Sequence, residues 1–214
     1  MLRGGTSLEQ ILLLLPALMF AFTIHELSHG LMAYILGDST AKQDGRLSLN
    51  PIRHIDPVGL VCILLIGFGW AKPVMIDTRN LKNPKIDMAL ISIAGPISNF
   101  VMAFLGMILL YALFLFTNAP AVVTNVLGIF CMLNIMLGVF NLLPIPPLDG
   151  SKVLAGMLPD AIYNNLPPMG GRFGMLILLV FIFTGLTARV LIPLTGAINS
   201  MMATVVGRIF GMLL

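Results

Sequence analysis

The sequence predicts an all-α polytopic membrane protein of five to six transmembrane helices, with a small β-hairpin at the membrane surface and a short re-entrant segment. Three observations carry that prediction. Of the 214 residues, 58% are hydrophobic and only 10% charged, against about 45–50% and 25% in soluble globular chains. Mean hydropathy is +1.00. Two long stretches, 88–116 and 119–143, contain no charged residue at all. Such a chain cannot cover a water-facing surface, so its solvent is mostly lipid. Backbone in lipid must satisfy its own hydrogen bonds, which helices do segment by segment.

The first element is 11–36, apolar except for a cluster at His25, Glu26, Ser28 and His29. It does not read as a cleaved signal peptide, because no small-x-small site follows and the apolar run continues to Leu36. Thr40–Leu49 follows as TAKQDGRLSL, in which Asp44-Gly45 is a hairpin turn signal and Leu47 and Leu49 alternate with polar neighbours. The apolar segment 58–70 has only 13 residues, about 20 Å of helix against a hydrocarbon core of about 30 Å, so it is expected to dip in and return.

If it does, residues 38–87 lie on one side of the membrane with seven of the twelve basic residues: Lys42, Arg46, Arg53, Lys72, Arg79, Lys82 and Lys85. The positive-inside rule makes that side cytoplasmic, and the expected location is the cell (inner or plasma) membrane. The formal charge of +3 is then a topology signal, with no nucleic-acid partner implied. The uncharged turn Thr117–Ala121 faces the other side. Beyond Pro144–Pro147, the stretches 173–187 and 190–214 are either two helices or one helix and an interfacial segment, separated at Arg189. One membrane-embedded domain, 1–214, is expected, with its core at 8–157 and C-terminal helices at 172–214. Cys62 and Cys131 show no ligand spacing and read as small buried hydrophobes.

Chemistry concentrates in a few residues. The chain has three histidines and two glutamates, and His25-Glu26-Leu27-Ser28-His29 holds two of the former and one of the latter. Histidines at i and i+4 share a helix face and suit one metal ion, and the intervening Glu26 suits a general base acting on a metal-bound water. Ionisable groups inside a membrane helix are expensive and by default functional. The same cluster also suits an ion or proton transporter that uses these groups as a relay.

A catalytic zinc takes three protein ligands. Glu9 lies some four turns from the pair on the same helix, and His54 and Asp56 lie in the basic loop. Asp149 follows a helix that carries no charge, and Pro144, Pro146 and Pro147 break that helix so the chain can turn inward. Asp149 is the candidate third ligand, its alternative being a solvated Asp-Gly turn. Gly95 and Asn99 share a face of 88–116 and are candidates for a substrate or oxyanion contact, with interhelical packing as the alternative. Asn141, seven residues after Asn134, carries the same ambiguity.

HELSH in the first membrane helix, AGPISN in a later one and FNLLPIPPLDG at the end of the next together resemble the site-2 protease family of intramembrane zinc metalloproteases. LNPIRHIDPVG followed by GWAKPVMID resembles its short prokaryotic branch. The resemblance covers about residues 8–157. It implies one zinc per chain on His25, His29 and Asp149, with Glu26 activating water and Asn99 beside the active site. It further implies hydrolysis of peptide bonds within or near transmembrane segments of single-pass substrates in the lipid bilayer, at a site reached from the cytoplasmic side. The hairpin at 40–49 is expected to offer a strand edge to an unwound substrate. These residues include neither the PDZ domain nor the CBS pair that many members carry. Selection is then left to the membrane core, to prior trimming or to a regulatory membrane partner.

Overall fold

A computed structural model describes residues 8–66, 69–163, 165 and 171–212. Among them the chain is helical with no β-strand. The helices are α1 (Leu8–Ile35), α2 (Thr40–Gln43), α3 (Pro57–Ile66), α4 (Pro84–Phe116), α5 (Ala121–Asn141), α6 (Asp149–Met157), α7 (Asp160–Tyr163), α8 (Gly171–Phe183) and α9 (Leu186–Gly211). Three of them, α4, α5 and α9, are long and apolar enough to cross a membrane. The 28-residue α1 carries the HELSH cluster in its second half.

Helix α4 begins where its sequence lets it. Pro84 at the first helical position has no N–H to leave unpaired, and Asp87 accepts the backbone N–H of Asn83 at 2.8 Å. Helices α4 and α5 pack together, α1 packs on both, and α9 closes the outer side. The centre of this bundle is apolar: Ala103 and Met107 of α4, Cys131, Ile135 and Val139 of α5, Val206 and Phe210 of α9. Leu105, Leu109, Phe114, Leu176, Phe183 and Ile192 point outward and are exposed, the surface expected of a chain whose solvent is lipid.

The region between α1 and α4 departs from the expected hairpin. Thr40–Gln43 is a helical turn, and Gly45 at φ 65° sits just beyond it. Asp44-Gly45 thus ends a turn of helix where a left-handed glycine is favoured, and turns no pair of strands. Asp38 turns the chain just ahead of that helix: its buried carboxylate accepts the N–H (3.1 Å) and hydroxyl (2.6 Å) of Thr40, two residues on. The strand edge proposed at 40–49 falls with the hairpin. The β-type pairing among the described residues is an antiparallel bridge, Ile55 to Ala71, extended by the N–H of Lys72 donating to the carbonyl of His54 at 2.9 Å. That bridge sets the two ends of 55–71 side by side, so the ten-residue α3 leaves and the chain comes back to where it started.

At the C-terminal end there are two helices, broken at Gly185 (φ 70°) rather than at Arg189. Arg189 lies in the first turn of α9, exposed, its N–H bonded to the carbonyl of Gly185. The positive φ makes glycine the natural break, and a charged residue one turn later does not interrupt the helix. Cys62 and Cys131 are both free; Cys131 is buried and Cys62 half-buried.

Candidate metal centre

Helix geometry brings His25 and His29 to one face of α1, and the turn after α5 swings Asp149 onto them. The three meeting atoms are His25 Nε2, His29 Nε2 and Asp149 Oδ2. The two nitrogens are 3.0 Å apart, and each is 3.1 Å from the oxygen. All three residues are buried. A tetrahedral zinc about 2.1 Å from its ligands sets them about 3.4 Å apart, so this triangle has the size of one face of such a site.

Hydrogen bonds on the far side of each ring decide what the triangle is. His29 Nδ1 is 2.7 Å from the backbone carbonyl of Ile91, which only accepts, so Nδ1 carries the proton. His25 Nδ1 is 2.7 Å from Asn99 Oδ1. The Asn99 amide nitrogen faces the carbonyl of Ala21 at 3.1 Å and Asn134 Oδ1 at 2.9 Å, which fixes its oxygen toward His25. Both neutral imidazoles therefore hold their proton on Nδ1 and turn an Nε2 lone pair to the same point. Two lone pairs and a carboxylate oxygen within 3.1 Å of one another repel unless a cation sits among them. One added proton bridges only two of the three. A divalent ion satisfies all of them, so the donor set fits zinc.

Each predicted residue has a place. Gly95 packs under the imidazoles: a Cβ there would lie 2.5 Å from His29 Cε1 and Nε2 and 2.7 Å from His25 Cε1. It leaves room for both histidine rings. Asn99, fully buried, has both ends of its amide hydrogen-bonded inside the protein, its oxygen on His25. Asn134 belongs to the same network and donates to Phe130's carbonyl at 2.9 Å. Asn141 stands apart from it, its amide donating to Leu137's carbonyl at 3.0 Å. His54 bonds through Nε2 to the carbonyl of Ser48 at 2.8 Å, and Asp56 caps α3 through the N–H groups of Val58 and Gly59. Neither belongs to the metal cluster.

Asp149 opens α6, where the helix N-terminus favours its charge, and its second oxygen lies 3.6 Å from Lys152 Nζ. Glu26 is half-buried, and its Oε2 accepts the N–H of Val74 at 2.8 Å. That contact has no side-chain signature in the sequence. The GWAKPVMID stretch that supplies it stood out only for its resemblance.

Residues 116–185 match the sequence model of Peptidase family M50, a stretch that includes Asp149 but neither histidine of the cluster. Over 189 residues the chain is 40% identical to a Bacillus subtilis protein provisionally named zinc metalloprotease YwhC, covering 86% of each chain. Rip2 of Mycolicibacterium smegmatis, provisionally named in the same way, is 30% identical over 181 residues, 81% of this chain and 67% of that protein. A third relative so named, MJ0611 of Methanocaldococcus jannaschii, is 42% identical over 65 residues, 30% of this chain and 31% of its own length. No solved structure matches the chain.

Proposed function

The chain belongs to peptidase family M50, the site-2 proteases, and is a zinc-dependent metalloprotease; from that premise we propose that it cuts single-pass membrane proteins within or near their transmembrane segments. The observation that carries the proposal is the triangle of His25 Nε2, His29 Nε2 and Asp149 Oδ2, 3.0–3.1 Å on each side, with both histidines on the helix that carries Glu26. His25, His29 and Asp149 would hold one zinc, which when bound would polarise the scissile carbonyl and acidify a water. Glu26 takes the proton from the attacking water as the new C–O bond forms. It then returns that proton to the nitrogen of the breaking C–N bond, releasing an amine and a carboxylic acid. Gly95 and Asn99 serve the histidines. Asn141, at the end of α5, is kept as a substrate-facing amide.

The membrane reading follows the same course. Helices α1, α4, α5 and α9 are crossings; α3 is re-entrant, and the 13-residue α8, about 20 Å of helix, is an interfacial segment before α9. The basic region 38–87 is cytoplasmic, in the cell (inner or plasma) membrane. Helix α1 ends at Ile35, six residues beyond His29, so water has about 9 Å of helix to pass from that side. The relay alternative is not favoured, since the family and the relatives named above are zinc metalloproteases.

The test uses wild type and Glu26→Gln purified in lipid, with zinc per chain and cleavage of a generic transmembrane substrate measured together. About one zinc in both and cutting only by the wild type is the expected result. A wild type without zinc, or a Glu26→Gln variant that still cuts, overturns the assignment.

A further inference from the structure

One buried charge has no part in the chemistry just described. Arg46 follows the Asp44-Gly45 turn and is only 7% exposed. A buried guanidinium normally faces a carboxylate, yet among the described residues none lies within ion-pair distance of it. Its Nη2 donates instead to the carbonyls of Lys72 and Pro73, the latter at 3.2 Å. Burial pulls its pKa down, while the charges of Glu26 and Asp44 push the other way, so Glu26 lies within electrostatic reach.

Pro73 and Val74 share one peptide unit. Its carbonyl accepts from Arg46, and its N–H donates to Glu26 Oε2 at 2.8 Å. A peptide unit is planar and rigid, so fixing its oxygen fixes the direction of its N–H. A cation on the oxygen also polarises the unit and makes the N–H a stronger donor. The neighbouring bond from the N–H of Lys72 to the carbonyl of His54 anchors the segment on its other side. Gly30, one turn along α1 from Glu26, lets Leu47 and Ala41 close onto the helix, with Val74 in contact beside them. Glu26 Oε1 makes no hydrogen bond to a described residue and is the oxygen left to carry the proton.

We infer that Arg46 is a positioning residue for Glu26, acting through the Pro73–Val74 peptide unit. The inference rests on Glu26 being the base of a zinc protease. It assigns the buried arginine to the catalytic turnover and not to zinc binding or substrate affinity.

Wild type, Glu26→Gln, Arg46→Gln and Arg46→Lys, in lipid, would be compared for zinc per chain, kcat and KM on a transmembrane substrate, and hydrogen exchange of the Val74 amide. Arg46→Gln is expected to keep its zinc and its KM, to lose roughly ten- to a hundredfold in kcat, and to exchange the Val74 amide at least about tenfold faster. Unchanged kcat overturns the inference. So does a lower kcat with Val74 protection intact, or a rise in KM at constant kcat. If Arg46→Gln does not fold, Arg46→Lys decides: the guanidinium fork is gone, so kcat falls several-fold and Val74 exchange rises. Arg46→Lys equal to wild type in both measures overturns it. A wild type that neither binds zinc nor cuts removes the protease reading itself, a result distinct from those.

Discussion

The amide oxygen of Asn99 stands 2.7 Å from His25 Nδ1, on the side of the ring away from the metal cluster. This contact sets which nitrogen of His25 carries a proton, and so whether the other is free to bind a metal. Ala21 and Asn134 in turn hold the amide's nitrogen end, at 3.1 and 2.9 Å, so the orientation of Asn99 is itself fixed. Asn99→Leu removes the acceptor at similar volume. Zinc affinity, measured by competition with a chelator, is expected to fall roughly ten- to a hundredfold, with cleavage falling in parallel. Asn99→Asp keeps the acceptor toward His25 but sets a carboxylate oxygen against the Ala21 carbonyl and Asn134 Oδ1, and is expected to fold less stably than the wild type. Equal zinc affinity in wild type and Asn99→Leu would remove the orienting role.

Gly95 leaves the space that the two imidazoles occupy. An alanine there puts a methyl 2.5–2.7 Å from both rings, an overpacking of about 1–3 kcal/mol that outweighs the roughly 0.5–1 kcal/mol by which helical backbone favours alanine. Gly95→Ala should therefore bind zinc at least about tenfold more weakly, and its zinc-free form should melt lower than that of the wild type. Equal zinc affinity in the two would remove the space-making role.

The part of the site that was legible in the sequence lies in side chains with few alternatives. His25 and His29 sit four apart on one helix, and Asp149 is a lone charge after a span that has none. Those facts survive any arrangement of the loops. What escaped reading was backbone and context. The carbonyl of Ile91 and the N–H of Val74 hold two site residues, and every residue type offers such groups. Arg46 looked like one more orienting charge among seven in the basic region. Asp44-Gly45 was ambiguous because a glycine with positive φ serves a helix end as well as a hairpin. Just ahead of that helix the chain is turned by Asp38, whose carboxylate reaches forward to Thr40.

Asp38 also joins the two loop segments, since Asp77 N–H (2.8 Å) and Asn80 Nδ2 (2.9 Å) bond to the same carboxylate. Burial alone would raise its pKa, but the hydrogen bonds from Thr40, Asn80 and Asp77 outweigh it and hold the carboxyl below its ordinary value. A carboxyl lowered on folding stabilises the fold above its unfolded pKa of about 3.9, and that stabilisation is lost as pH falls through the lower folded value. Asp38→Ala strands several donors and should cost about 3 kcal/mol at neutral pH. Melting of wild type and Asp38→Asn from pH 6 downward is expected to show a gap that stays constant to about pH 4 and shrinks below it. A gap that grows with acid would contradict the lowered pKa.

The last prediction concerns where the site opens. The Ile55–Ala71 bridge and the Lys72–His54 bond hold the two flanks of α3 together, so Gln43 before it and Lys82 after it should face one compartment. Asn118, in the turn between α4 and α5, should face the other, because a helix as long as α4 separates it from Lys82. All three are exposed. Single cysteines at these positions, in a background with Cys62 and Cys131 replaced, can be labelled with a membrane-impermeant thiol reagent. In right-side-out cells Asn118→Cys is expected to react, while Gln43→Cys and Lys82→Cys react only after the membrane is opened. The reverse pattern would put the basic region and the mouth of the zinc site outside, against the positive-inside rule. Opposite labelling of Gln43→Cys and Lys82→Cys would mean that 55–71 crosses the membrane. Val74 and Glu26 could not then meet as they do at 2.8 Å, and the route by which Arg46 reaches Glu26 would be lost with that contact.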